Sequence, residues 1–472
     1  MTQTSLETRV EKDLLGEQLI PSNAYWGVHT SRALENYQIT GFPLYNAPEL
    51  IKGLACVKIA AAKANADLDV IPPHIAQAIE QACEEIRQGH LHDQFVVDVI
   101  QGGAGTSTNM NANEVIANRA IEILGGQKGD YKLVHPIEHV NASQSTNDVY
   151  PTAVKIGLIK AIVGLSREMD SLKEAFSEKA NQFSSVLKIG RTQLQDAVPM
   201  TLGQEFSAFS VMVNEDTLRL KEAISLIHEI NLGATAIGTG INTDPEYAAR
   251  ARNYLVDITE LGLVTAANLV EATQDTGSFV QLSGVLKRIA VKLSKICNDL
   301  RLLSSGPQGG LNEINLPARA AGSSIMPGKV NPVIPEVVNQ VAFEVIGNDV
   351  TVTMAAEAGQ LQLNAFEPII AWSLFKSIYH LTAACNTLRI NCVAGISANE
   401  ELLKQRVHES ACLATSLNPY IGYDQASEIA KTALKTGRRV DELVLEKGLL
   451  TEKQLSEILR PEVLTQPRRI KF

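Results

Sequence analysis

The sequence predicts a mainly all-α protein, a long central helical bundle with smaller N- and C-terminal domains, and three stripes of apolar residues carry that expectation. Leu158, Ile162, Leu165, Met169, Leu172 and Phe176 step by 4-3-4-3-4. Leu282, Leu286, Ile289, Leu293, Ile296, Leu300 and Leu303 keep the same rhythm, as do Val338, Val341, Val345, Asn348, Val352 and Ala355. With no strand signal between them, such stripes suit near-parallel helices packed at shallow angles. A helix of about thirty residues runs ~45 Å and buries its stripe poorly alone. Association of copies through the bundle follows from that shape.

In order, residues 1–50 mix turn formers with short apolar pieces and suggest a short hairpin. From Pro48 to Gly89 the pattern is helical, broken at Ile71-Pro72-Pro73. A loop from Phe95 to Gly105 leads into a helix over 107–124, stopped by Gly125-Gly126. A second loop, His135 to Tyr150, precedes a long helix opened by Pro151. Its His135 and His139 read as loop histidines, with metal or anion binding as the sharper alternative. Gly190–Pro199 reads as a loop before a helix near Thr201, and Leu232–Gly240 as a structural stop. A further helix follows Glu367-Pro368, and beyond 397 the helices shorten and gain charge, with Asn399 as a cap and Thr451-Glu452-Lys453-Gln454 as a capping box. The expected domains are 1–146, 147–397 and 398–472.

At 472 residues, 45% hydrophobic and 20% charged, the composition is that of an ordinary globular protein. The net charge of −10 argues against nucleic acid or an anionic membrane as partner. Six scattered cysteines, without a CxxC, suit a reducing cytoplasm. The polar N-terminus shows no signal peptide, and no uninterrupted apolar run reaches the ~18 residues of a membrane span. No GxxxxGK[ST], strand-borne GxGxxG or GxSxG occurs, and no His/Asp/Glu cluster has metal-ligand spacing. No metal or cofactor is therefore expected, although activation by a divalent cation stays open.

Polar loops standing before helices remain. The richest is Gly322-Ser323-Ser324-Ile325-Met326-Pro327-Gly328-Lys329-Val330-Asn331-Pro332, with two hydroxyls, an ammonium and a carboxamide. Asn331 suits an N-cap and Pro332 a first helical position, so the segment ends where orphan backbone N–H groups attract anions. Read blandly, it is a capped linker; read sharply, a catalytic loop beside a carboxylate site.

This eleven-residue segment resembles the signature loop of the aspartase/fumarase superfamily, and three other segments resemble that family's substrate-binding stretches in order. They are Gly105–Asn109, Ser143–Asp148 and Gly190–Pro199. The resemblance spans essentially the whole chain and implies a homotetramer with active sites shared between subunits. It implies Ser323 as the base, and Thr106, Ser107, Ser145, Thr146, Ser324, Lys329 and Asn331 as ligands of substrate carboxylates. Asn147 would hold the leaving group, Thr192 and Gln193 would line the site, and Met326 and Glu336 would support it.

The implied reaction is reversible anti elimination of ammonia from L-aspartate, giving fumarate. Gln193 bears on this, because fumarases carry His there. Expelling hydroxide needs an acid, whereas ammonia leaves neutral with protons it already carries. A neutral Gln beside an ammonium also avoids like-charge repulsion. Glu336, which in the family orients that His, lacks its usual partner. Fumarate hydration and a non-catalytic scaffold of the same fold are the alternatives.

Overall fold

The structure is a computed structural model and describes residues 7–467 and Arg469. It forms two compact units, each drawn from three stretches of chain: Met1–Ser166, Leu218–Arg288 and Phe343–Leu381 in the first, and Arg167–Thr217, Ile289–Ala342 and Thr382–Phe472 in the second. Helices dominate, the five longest described being Thr146–Gln182, Leu202–Leu226, Gly277–Leu303, Val333–Glu357 and Glu367–Asn391. The predicted stripes are their buried faces. Every member of the first is at most 1% exposed and every member of the second at most 4%. In the third only Val341 is half-buried rather than buried. Thr146–Gln182 is long and apolar enough to cross a membrane by length and composition, but 78% of its apolar window is buried, so that face is spent on the core.

In the first unit the expected N-terminal hairpin pairs Thr8–Asp13 with Gly16–Pro21. Pro48–Asp67 and Pro73–Arg87 flank the predicted Pro-Pro break. A Cβ at Gly53 would lie 2.4 Å from the Ala153 carbonyl oxygen, so glycine lets Pro48–Asp67 touch the backbone of the long helix. The helix Thr106–Ile123 starts one residue earlier than expected, within the usual latitude of helix ends.

The second unit holds the short C-terminal helices. Val407, Leu413, Leu417, Ile429, Val440, Leu443 and Ile458 form their core, with Ile189 packed into it. The capping box is formed by Thr451 and Gln454. Asn399 does occupy an N-cap, but its amide donates to the Asn312 carbonyl (2.7 Å) instead of capping its own helix.

Three local expectations are corrected. Pro151 does not open its helix; it lies inside Thr146–Gln182. Proline leaves the Asn147 carbonyl without its helical donor, and the Asn231 side chain supplies one at 3.0 Å. Gly190–Pro199 is not a helix-capping loop: Leu187–Thr192 and Gln195–Thr201 pair as a hairpin, turned by Gln193 and Leu194 at φ 54° and 62°. Finally, the long helix after the signature loop begins at Val333, with Pro332 rather than Asn331 accepting the first helical bond, from the Glu336 N–H at 3.2 Å.

Candidate active site

Within the first unit two predicted loops meet. Gly105 precedes the helix Thr106–Ile123 at φ 92°, and a Cβ there would sit 2.5 Å from the Tyr150 ring, so both backbone and packing require glycine. Thr106 is exposed and donates its hydroxyl to the Gly103 carbonyl at 2.8 Å; Ser107 is half-buried beside it. The buried Gln101 caps this helix by accepting from the N–H and the hydroxyl of Thr108. One turn on, the buried Asn109 amide donates to Thr146 Oγ1 (3.1 Å) and Asn141 Oδ1 (3.0 Å). Asn113 and the buried Lys58 ammonium also donate to Asn141 Oδ1, and Lys58 reaches Gln144 Oε1 at 2.9 Å. Three donors thus converge on one amide oxygen ahead of Ser145. Burial lowers Lys58 to about 7, with Asp148 pulling the other way.

Ser145 caps the long helix: its hydroxyl accepts from the Asn147 N–H (3.2 Å) and its own N–H donates to Asp148 Oδ1 (3.0 Å). The bland reading of this stretch therefore holds, and it does not exclude the sharper one. A hydroxyl that accepts from backbone still has its own proton to give. Asp148 is fully buried and also accepts from the N–H groups of Gly233 (3.0 Å) and Thr235 (2.9 Å). Burial pushes its carboxyl up to about 6 against those donors. Asn147 donates Nδ2 to the Ala236 carbonyl at 2.7 Å, leaving its amide oxygen as the end that can accept. The Leu232–Gly240 segment is structural, as expected, but beyond the stop read from its glycines it holds the start of the long helix. His135 and His139 spend ring nitrogens on backbone N–H groups of their own turn, as structural caps do.

In the second unit Thr192 and Gln193 are exposed at the hairpin tip. The signature loop closes on itself: Gly322 has φ 81°, and a Cβ there would lie 1.8 Å from the Lys329 carbonyl oxygen. Any side chain at 322 would force the loop open. Ser323 Oγ accepts two backbone N–H groups, from Ile325 and Met326, each at 3.2 Å. Such donors favour a developing alkoxide on that oxygen. Lys329, Asn331 and Glu336 line a cavity of about 510 Å³ with Arg301, Ser305 and Asn315. Ser323, Ser324 and Met326, like Thr192 and Gln193, stand outside its lining.

Lys58, Gln101, Asn109, Asn141 and Asp148 were not singled out from the sequence. Signals existed for two of them: Asn109 lies four before Asn113 on one helical face, and Lys58 stands alone in an apolar run. Among the described residues, no group of three or more His, Cys, Asp or Glu is placed to hold a metal ion.

Long helices presenting hydroxyl- and amide-rich loops, with a lysine close to an asparagine, offer donors suited to a small anionic substrate. The family described as Lyase matches residues 16–347, and the fumarase C C-terminus matches 413–466. The chain belongs to that lyase family, within the aspartase/fumarase superfamily. It is 59% identical over 461 residues to an aspartate ammonia-lyase of Pseudomonas fluorescens, covering 98% of this chain and 96% of that protein. To the aspartate ammonia-lyase of Escherichia coli K12 it is 53% identical over 460 residues, covering 97% and 96%. Among solved structures it resembles a fumarate lyase:delta crystallin from Brucella melitensis bound to cobalt (TM-score 0.95, 55% identity, 98% and 100% covered). A class II fumarase from Schistosoma mansoni is also similar (TM-score 0.89, 35% identity, 96% and 98% covered).

Proposed function

We propose that this chain is an aspartate ammonia-lyase, a carbon–nitrogen lyase that reversibly converts L-aspartate to fumarate and ammonia. The observation that carries the reading is its likeness along nearly its whole length to proteins of that name, at 53–59% identity, against 35% to a class II fumarase. Gln193 agrees, since a neutral amide suits an ammonium leaving group.

Ser323, its Oγ already facing two backbone donors, takes the proton from the carbon next to the β-carboxylate. The C–H electrons move into that carboxylate, giving a dianionic aci-carboxylate. Lys329, Asn331, Thr106, Ser107, Ser145, Thr146, Thr192 and Ser324 supply donors to the carboxylates. Preoriented donors of this kind are worth ~3–4 kcal/mol each to the transition state. As the charge collapses back, the carbon–carbon double bond forms, the carbon–nitrogen bond breaks, and ammonia leaves past Asn147.

Association of copies supplies both sets of loops to one site, in a homotetramer in the cytoplasm. Apolar side chains left outside the core support association: Val337, Phe343, Val350 and Met354 on one long helix are 42–67% exposed. Initial rates followed by the ultraviolet absorbance of fumarate test the reading. Aspartate should be turned over and malate should not. Malate turnover with aspartate inert would make the chain a hydratase, and silence with both would make it a scaffold.

A further inference from the structure

A buried charge cluster in the second unit has no part in the steps above. Glu313 is fully buried. Its carboxylate meets Lys188 Nζ at 2.7 Å and Arg191 Nη1 at 2.6 Å, with Arg406 at 4.0 Å. Lys188, 2% exposed, is shared with Glu205 at 2.5 Å. Lys188 and Arg191 both lie on the hairpin strand that ends in Thr192. Three residues apart, they would face opposite sides of a regular strand, but the pairing shifts register between Ile189 and Arg191, and both reach one carboxylate. The main chain of Glu313 is anchored as firmly. Its N–H donates to the Leu303 carbonyl (2.8 Å), and its carbonyl accepts from the Asn399 N–H (3.0 Å). The next residues, Ile314 and Asn315, are wall of the cavity that holds Lys329, Asn331 and Glu336.

One buried carboxylate thus grips the strand carrying Thr192 and begins the wall beside Lys329. Burying several charges is a poor way to stabilise a fold, since well-packed apolar residues do as well or better. A fixed geometry is what such a cluster does provide. We propose that Glu313 is a positioning residue, which sets the Thr192-Gln193 turn at a fixed place relative to the Lys329–Asn331 cavity wall and so tunes binding of the dicarboxylate. The inference rests on the reading of Thr192 as a substrate ligand.

A double-mutant cycle tests it on the full chain. Thr192→Ala, Glu313→Gln and the double variant are assayed for kcat and KM with aspartate, and each is melted. Expected is a KM raised on the order of tenfold by Glu313→Gln, with kcat changed much less. The double variant should be no worse than the more affected single one. A lowered melting temperature with KM unchanged, or KM effects that multiply, would overturn the inference and leave the cluster purely structural. An unchanged KM in Thr192→Ala is a different failure: it removes Thr192 from the substrate and takes the inference with it. Should Glu313→Gln not fold, Arg191→Gln cuts the same link from the less buried hairpin side, with the same pattern expected.

Discussion

Asp148→Ala removes the one carboxylate that ties the start of the long helix to the Leu232–Gly240 segment. Three backbone N–H groups lose their acceptor: Ser145, Gly233 and Thr235. A buried unsatisfied N–H costs ~1–3 kcal/mol, so three cost ~3–9 kcal/mol. Against this stands relief of the buried carboxyl. Its displacement from 3.8 to about 6 corresponds to ~3 kcal/mol. The difference leaves a net loss of stability of ~0–6 kcal/mol, centred on ~3, read as a fall in the urea midpoint. Activity should fall further than stability. Ser145, Thr146 and Asn147 sit in the first turn that Asp148 holds, and misplacement by about 1 Å costs on the order of 100-fold in kcat/KM. Asp148→Asn keeps one acceptor oxygen, which can still serve Gly233 and Thr235, but sets an NH2 against the Ser145 N–H. It should recover most of the stability and less of the activity. An Asp148→Ala protein with wild-type urea midpoint and wild-type fumarate production would refute this account of the helix start.

Three further outcomes are expected. Ser323→Ala should lower kcat by ~10²–10⁴-fold with the helical circular-dichroism signal intact, and near-normal turnover would assign the base elsewhere. Lys329→Ala should raise KM for aspartate by ~10–150-fold, the range of a charged hydrogen bond worth ~1.5–3 kcal/mol, and an unchanged KM would take Lys329 out of the pocket. Burial pushes Glu367 up to about 8 from 4.5, with Lys155 opposing. The folded state therefore keeps this proton where the unfolded chain has lost it. The associated stability is fully present below pH 4.5 and is lost as pH rises towards 8. Glu367→Gln should remove that slope, making the variant more stable than wild type by about 4–5 kcal/mol at the alkaline end. Melting curves across that range check it, and parallel curves for the two proteins would contradict it.

The helical frame was legible because it rests on short-range periodicity. The 4-3 stripe of 158–176 names its own buried face, and Thr451-Glu452-Lys453-Gln454 carries both halves of its capping box. The signature loop was legible as a loop, but its closure at Gly322 against the Lys329 carbonyl was seen only in the structure. The hairpin at 187–201 was not. Its turn is Gln193-Leu194, both in the left-handed region, with none of the Asn-Gly or Asp-Gly chemistry that announces such a turn. Ile189 packs into the core of the C-terminal helices, so the tertiary setting holds a turn that local preference would not choose.

From sequence alone came the helical class, the apolar faces, the polar loops and the family whose chemistry they resemble. All of these depend on residues within a turn or two of one another. The tertiary structure alone decided which charges and amides could be buried. Pro151 is tolerated inside a helix because Asn231 satisfies the carbonyl it orphans. Lys58 is buried under Asn141 and Gln144, and Glu313 under Lys188 and Arg191. A polar group enters a low-dielectric interior only with its partner in place, and here each partner comes from a distant stretch of chain that only folding brings near.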